Sequence, residues 1–503
     1  MLIDRDCSIA VSAFSIETKR VAQGLYDLGV REGDRVAVWL PNVPAWFSCL
    51  FACAQIGAIV VAVNTRFRSS EITDILERSG SKILILWPGY RGIDFQRILL
   101  EAGKVALSQL THLIFYGEGE GLSPMISALG PTVVHYNELL QKPPKFECLA
   151  TPSSPVIIFT TSGTTYQPKF VMHDQASIVT HAMEISRAYG FDAPDAQVLL
   201  TLPLCGTYGL CNALGAIAGG NPLLILPTFE PEAATLAITR YQVTHFAAAG
   251  DLVAQLFAIA PGQRPFTSVR LVVGARAGQA AAAEAKGITL IGVYGSSEIQ
   301  AMVACHSVND VPEERERGGG KLIAEDARVR ARDVISGEIL PNGTSGELEF
   351  LTPSRMIGYF GDERATIKSF TADGYFRSGD LGYTKNDREF VFESRIGDVM
   401  RLSGFLVNPL EIEHTLDTHP SICASQVVGV EGPRGQRSVA FVILRPGFSF
   451  DESLLIAYCR QRIAGYKTPE RIFVIEEFPI TLSANGNKVK KGKLREMAEV
   501  LLC

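Results

Sequence analysis

The sequence predicts an α/β protein. It has a large N-terminal domain of layered α/β sheets, a small β-rich subdomain, and a smaller α+β domain at the C-terminal end. Three observations predict this. Up to roughly residue 300, apolar runs alternate with amphipathic segments, the pattern of parallel strands joined by helices. From about 320 the segments become short and β-like, separated by Gly, Asn and Asp. From about 398 helices and strands mix over about 100 residues, enough for a compact domain. The 503 residues exceed what one hydrophobic core accommodates.

In order, 15–28 reads as an amphipathic helix with Val21, Leu25 and Leu28 on one face. A turn at 29–34 leads to a strand at 35–40, a helix at 44–57 and a strand at 58–63. A helix at 71–79 and a strand at 82–87 follow, and 94–144 is less regular. Few residues precede the first helix, so part of the first strand layer is expected to be missing or irregular. Residues 156–159 and 170–172 are strands, and 175–187 is a helix with Asp174 as N-cap. Strand 198–203 breaks into 204–210, and 221–226, 245–248, 270–273 and 288–294 are further strands. Short β segments are read at 329–332, 346–351, 375–377 and 389–393. The last domain reads as helix 409–418, strands 424–430 and 438–444, helix 452–463 and strand 471–475. A polar tail at 481–494 carries Lys488, Lys490, Lys491 and Lys493.

A net charge of −6 lacks the basic excess of a nucleic-acid binder. The longest apolar stretch, 47–63, contains Gln55 and Gly57 and is short of the about 20 residues of a membrane span. Charges occupy the N-terminus where a signal peptide needs its apolar core. The ten cysteines are scattered without a C-x-x-C pair or a Cys/His cluster, which points to reduced thiols in a cytoplasm rather than a zinc site.

Four blocks carry chemistry. Thr160-Thr161-Ser162-Gly163-Thr164-Thr165, followed by Pro168 and Lys169, is a hydroxyl-lined turn between two strands, suited to cradling phosphate. Tyr294-Gly295-Ser296-Ser297-Glu298 sits at a strand end, where open α/β sheets bind ligands. Its carboxylate suits Mg²⁺. Tyr375 to Leu381 places Asp380 after a glycine at a strand end, where a carboxylate accepts from ribose hydroxyls. Glu393 to Asp398, with Arg401, Gly404 and Pro409, forms a charged, glycine-rich boundary. Taken alone, each block is also open to a bland reading, as an ordinary turn or, for the last, a plain linker.

Together, in order and spacing, the blocks resemble the AMP-forming adenylate superfamily of acyl-CoA synthetases, nonribosomal-peptide adenylation domains and firefly-type luciferases, closest to the acyl-CoA synthetases. Gly346-Glu347-Leu348, Gly358-Tyr359 and Ala62-Val63-Asn64 fit the same pattern. The resemblance implies an ATP- and acyl-binding domain over 1–396 and a mobile domain over 397–503. The implied reaction joins a carboxylic acid to AMP with release of pyrophosphate, then transfers the acyl group to the thiol of CoA. The cofactors implied are ATP, Mg²⁺ and CoA. Thr161 to Thr165, with Thr160 and Lys169, would hold the β- and γ-phosphates. Gly274, Ala275 and Arg276 would line the adenine pocket and Tyr294 would pack on the base. Asp380 would bind ribose, Arg395 ribose or phosphate, and Glu298 the metal. The catalytic lysine is assigned to Lys488, with Lys490 as the alternative because Asn487 intervenes after Gly486. Lys491 and Lys493 read as solvated. Gly397 would be the hinge, Arg401 stands where a lysine often follows, and Gly404 with Phe405 would flank the CoA channel.

By the same resemblance, Cys205, Gly206, Tyr208 and Gly209 would mark the acyl pocket. No acid occurs in 203–209, which disfavours an α-amino acid substrate, and Gly206 replaces a bulkier ring and widens the site. An apolar fatty or alicyclic acid is the expectation. Asp251 approaches this region and reads as a helix N-cap. Tyr166 and Phe170 replace glycines of the phosphate loop, which stiffens it. Two other readings stay open: an acyl-AMP ligase that loads a carrier protein, and a nucleotide-binding pseudoenzyme.

Overall fold

The computed structural model describes all residues except 5–6, 118–129, 162–168, 250, 263, 276–277, 399, 403–404, 433–435, 464, 482–487 and 503. The chain forms two compact units. One comprises Met1–Arg328 and Leu351–Phe376, the other Val329–Phe350, Arg377–Leu482 and Asn487–Cys503. Among the described residues no helix is long and apolar enough to cross a membrane.

The first unit holds two large sheets. In one, Thr289–Ile291, Leu271–Val273, His245–Ala247, Val198–Leu200, Leu223–Ile225, Leu2–Asp4 and Cys7–Ile9 neighbour each other in that order. The first layer is therefore present, contrary to expectation: Leu2 pairs in parallel with Leu223, and Cys7–Ile9 folds back on Leu2–Asp4. In the other, the order is Gly358–Tyr359, Lys169–Asp174, Pro155–Thr161, Ile59–Ala62, Arg35–Trp39, Ile83–Leu86, His112–Phe115 and Thr132–His135. The stretch 94–144 thus continues the α/β alternation. Helix Phe95–Leu107 is capped by Asp94, whose Oδ1 accepts from the Arg97 amide at 2.9 Å, and is interrupted at Gly103 (φ 84°), which breaks its apolar period.

The predicted strand 288–294 is two strands. Thr289–Ile291 and Val293–Tyr294 enter different sheets, and the change falls at Gly292. The second pairs antiparallel with Ala304–Cys305. Helix Gln175–Ala188 starts where the Asp174 carboxylate accepts from the Ser177 amide at 2.8 Å, as a cap should. Asp251 holds the N-cap position of Leu252–Ile259 without a side-chain capping bond.

Each large sheet has its own core, with Trp39, Phe95 and Ile158 in one and Phe246, Leu256 and Leu290 in the other. Phe170 corrects the loop reading. It lies on strand Lys169–Asp174, 1% exposed, inside the first of these cores, with the Arg78 guanidinium 4.2 Å above its ring.

In the second unit, Glu389–Arg395, Phe376–Asn386, Gly346–Leu351 and Arg328–Arg332 neighbour each other. The strand predicted at 375–377 is eleven residues long, because a β-bulge at Leu381–Gly382 carries the pairing past Gly379. Beyond it, Ile422–Val430 pairs antiparallel with Arg437–Leu444, which pairs in parallel with Arg471–Val474. The polar tail contains a helix, Lys491–Leu502, which packs Leu494 and Ala498 against Val428, Val439 and Phe441. Lys491 is not solvated. Its Nζ pairs at 3.1 Å with Glu413, itself buried, while Lys493 is exposed and pairs with Glu496.

Candidate active site

The hairpin Pro155–Thr161/Lys169–Asp174 places Thr161 opposite Lys169 at the mouth of the predicted phosphate loop. Ser162, Gly163, Thr164, Thr165 and Tyr166 lie outside the described residues, as does the Thr161 side chain. Thr160 Oγ1 donates to the Ala62 carbonyl at 3.5 Å. Lys169 Nζ sits 4.6 Å above the ring of Tyr359, within cation–π range. Tyr359 is brought there by the edge strand Gly358–Tyr359, which pairs with Val171 and Met172. Its hydroxyl donates to Glu298 Oε1 at 3.0 Å. Lys169, Tyr359 and Glu298 are thus one connected group. In the sequence Tyr359 was only part of a pattern and had no role.

Glu298 lies in the 3₁₀ turn Ser297–Ile299. Its carbonyl accepts from the Met356 amide at 2.6 Å. The Ser297 carbonyl accepts from His173 Nε2 at 2.8 Å, and Ser297 Oγ accepts from Thr207 Oγ1 at 3.1 Å. A carbonyl only accepts, so the His173 proton is on Nε2. Burial pushes the His173 pKa down to about 4, partly opposed by that backbone bond, so the ring is neutral at pH 7. Gly295 packs so closely on the following turn that a Cβ would stand 2.4 Å from Ala301 Cα. Tyr294 is 7% exposed, and the Ser296 hydroxyl is buried without a hydrogen-bond partner among the described residues.

The segment read from the sequence as the acyl pocket hangs from Asn42, whose Nδ2 donates to the Leu202 carbonyl (3.0 Å) while its Oδ1 accepts from the Leu204 amide (2.8 Å). Sequence reasoning missed Asn42, since nothing local marks its partner across 160 residues. Burial pushes the Cys205 thiol up to about 12, so it is neutral at pH 7. Gly206 is the N-cap of helix Thr207–Ala218, which puts Tyr208 and Gly209 on the helix's first turn. Tyr208 donates to the Val273 carbonyl at 2.7 Å. Gly274, at φ 118°, lies beneath that hydroxyl. A Cβ there would come 2.0 Å from the Ala248 carbonyl oxygen and 2.7 Å from the Tyr208 oxygen. The Gly274 and Ala275 amides both donate to the Ile291 carbonyl. Arg276 lies outside the described residues.

In the second unit, Asp380 is not at a strand end but within Phe376–Asn386, opposite Arg395. Its carboxylate is buried and ion-paired with Arg395 Nε at 2.7 Å. Arg395 Nη1 donates to the Ser378 carbonyl at 3.1 Å, and Glu347 accepts from the Gly379 amide (3.3 Å) while pairing with Arg377 (3.0 Å). Gly397 lies in the turn Ile396–Asp398, where a Cβ would meet nothing within 4 Å. Arg495 donates to the Gly397 carbonyl and pairs with Asp398. Arg401 and Phe405 are placed by backbone alone, on the hairpin Met400–Leu402/Phe405–Val407, and Gly404 lies outside the described residues. Lys488 is placed by backbone on Lys488–Val489, opposite Thr481, and Lys490 is exposed.

Among the described residues no three His, Cys, Asp or Glu side chains converge as a metal cluster. Glu298 offers a single carboxylate, one oxygen of which is oriented by Tyr359. That fits Mg²⁺, which binds through one or two carboxylates with substrate phosphates and water completing the shell.

Residues 1–360 match the AMP-binding enzymes, and residues 411–485 match the AMP-binding enzyme C-terminal domain. The chain is 30% identical over 502 residues to 2-methylpropanoate–CoA ligase of Humulus lupulus, covering 95% of this chain and 88% of that one. It is 28% identical over 495 residues to sulfoacetate–CoA ligase of Cupriavidus necator, covering 97% and 92%. The crystal structure of ATP-bound MatB from Rhodopseudomonas palustris shares the fold, with a TM-score of 0.85 at 21% identity over 100% of this chain and 96% of that one. The chain therefore belongs to the AMP-binding enzyme family, as an AMP-forming acid–CoA ligase.

Proposed function

We propose that the chain activates an apolar fatty or alicyclic acid with ATP and passes the acyl group to CoA. The carrying observation is the connected group Lys169–Tyr359–Glu298, whose lysine follows the hydroxyl-rich segment 160–165 in the sequence. A carboxylate oxygen of the acid attacks the α-phosphorus, and pyrophosphate leaves with the electron pair of the broken P–O bond. The CoA sulfur then attacks the acyl carbon, AMP leaves, and the thiol proton is released to solvent.

The first step brings two anions together. At about 4 Å and an effective dielectric of 20 they repel by roughly 4 kcal/mol, about a thousandfold in rate. Positive charge must therefore be aimed at the developing transition state. Lys169 and the loop from Thr160 to Thr165 hold the β- and γ-phosphates, and Glu298, set by Tyr359, holds Mg²⁺. The metal, when bound, neutralises phosphate charge. Tyr294 with Gly274 to Arg276 receives the adenine, Asp380 the ribose, and Arg395 the ribose or phosphate. Lys488 arrives with a domain over 397–503 that turns at Gly397, and Gly404 with Phe405 flanks the thiol channel.

The acid is assigned from the pocket. The segment 203–209 has no acid, Cys205 is neutral, and position 206 carries no side chain. The nine described cysteines are all free, in keeping with a cytoplasmic setting. The test is pyrophosphate release from ATP and Mg²⁺ over a panel of acids, with and without CoA. Release with a fatty or alicyclic acid, and acyl-CoA when CoA is present, is expected. Release without acyl-CoA would indicate a carrier-protein acceptor. No release with any acid would overturn the reading.

A further inference from the structure

Immediately after Glu298 the backbone does something costly. Gln300, Ala301 and Met302 take φ of 64°, 47° and 53° in succession. None is glycine, and side-chain-bearing residues visit this left-handed region as single residues rather than runs. Gln300 and Met302 are buried, so water does not solvate their carbonyls.

Two neighbouring helices supply the donors that hold this turn. His181, on Gln175–Ala188 and 1% exposed, directs Nε2 at the Gln300 carbonyl (3.0 Å) and the Ala301 carbonyl (2.7 Å). Carbonyls only accept, so the proton is on Nε2. Cys211, on Thr207–Ala218, donates Sγ–H to the Gln300 carbonyl at 2.8 Å, and the Tyr189 hydroxyl donates to the Met302 carbonyl at 3.4 Å. Inside the loop, the Ala301 amide donates to the Ser296 carbonyl (2.8 Å) and the Val303 amide to the Tyr294 carbonyl (2.9 Å). The left-handed turn therefore closes back on Tyr294 and Ser296, two and four residues before Glu298, and Gly295 lies against Ala301 without room for a Cβ.

We infer that His181 is a positioning residue for the reaction: by bonding two consecutive carbonyls of the left-handed turn, it sets the Glu298 carboxylate and the Tyr294 backbone in register. It meets neither nucleotide nor acid. The inference rests on the reading of Glu298 as the metal-bearing residue, and its test has one arm that does not depend on that reading.

The test compares the full chain with His181→Phe, His181→Gln and His181→Phe combined with Ala301→Gly. Phenylalanine fills the space without a donor. Glutamine offers an N–H at a similar reach. Glycine accepts positive φ without strain, so the turn needs less holding. Amide exchange at Ala301 and Val303 is expected to rise by about tenfold in His181→Phe and to stay within about threefold of the parent in His181→Gln. Pyrophosphate release at saturating acid is expected to fall roughly a hundredfold in His181→Phe, the scale of a small misplacement in an active site. The Mg²⁺ needed for half-maximal rate should rise while KM for the acid changes less than about twofold. Adding Ala301→Gly should recover at least about tenfold of the rate. Unchanged exchange and rate in His181→Phe would overturn the inference, as would a loss that neither glutamine nor glycine restores. Were the parent to release no pyrophosphate with any acid, the ligase reading would fail, and the exchange arm would decide the inference alone.

Discussion

The Tyr359 hydroxyl donates to Glu298 Oε1 at 3.0 Å, and the same tyrosine's ring lies under the Lys169 ammonium at 4.6 Å. A hydrogen bond to a carboxylate contributes about 1.5–3 kcal/mol, roughly 10- to 150-fold. Tyr359→Phe keeps the ring and removes the donor. Its expected effect is a 10- to 100-fold lower rate of pyrophosphate release, a higher Mg²⁺ requirement and an unchanged KM for the acid. A shift confined to KM for the acid would show that Tyr359 acts in the acyl pocket instead.

Acid stability follows from two buried histidines. Burial lowers the pKa of both His173 and His245 to about 4. In the unfolded chain each titrates near 6.5. Between about pH 6.5 and 4 the unfolded state binds more protons, so stability is full above about 6.5 and falls as pH is lowered. Each ring accounts for up to roughly 3 kcal/mol of that loss. His245 is assigned no part in the proposed chemistry. His245→Gln should give a shallower fall between pH 7 and 5, by up to one proton, in urea unfolding. An unchanged slope would mean that His245 is protonated in the folded chain.

Gly274 allows the backbone to pass beneath Tyr208. Gly274→Ala would place a methyl 2.0 Å from the Ala248 carbonyl at φ 118°. A backbone shift is unavoidable, and a loss of about 2–4 kcal/mol is expected, read as a lower melting temperature. Wild-type stability in this variant would show that the 248 and 274 strand ends separate freely.

Lys488 and Lys490 are told apart by half-reactions. Lys488→Ala should abolish pyrophosphate release yet leave acyl transfer from preformed acyl-AMP to CoA. Lys490→Ala should retain both. The reverse pattern would move the role to Lys490.

The family was legible in the sequence because the blocks around Tyr294, Glu298, Asp380 and Arg395 are local and spaced in order. The alternation up to residue 300 and the β-rich stretch after it also read correctly. What was hidden depends on tertiary contact. Gly103 breaks the apolar period of Phe95–Leu107 and makes a helix look irregular. Phe170 replaces a glycine on paper but fills a core in space. Lys491 reads as solvated until Glu413, 78 residues away, is placed beside it. His181 and Asn42 carry no local signal, and Tyr359 shows only as part of a pattern without a role, because their partners are backbone or side-chain groups on distant segments.

The central claim is that the acid's own oxygen becomes bonded to the α-phosphorus. It is tested most directly with an accepted acid labelled with ¹⁸O in its carboxylate, incubated with ATP, Mg²⁺ and CoA, followed by mass spectrometry of the products. One labelled oxygen transferred to AMP, with unlabelled pyrophosphate, is the predicted result. Label in inorganic phosphate, with ADP in place of AMP, would contradict it.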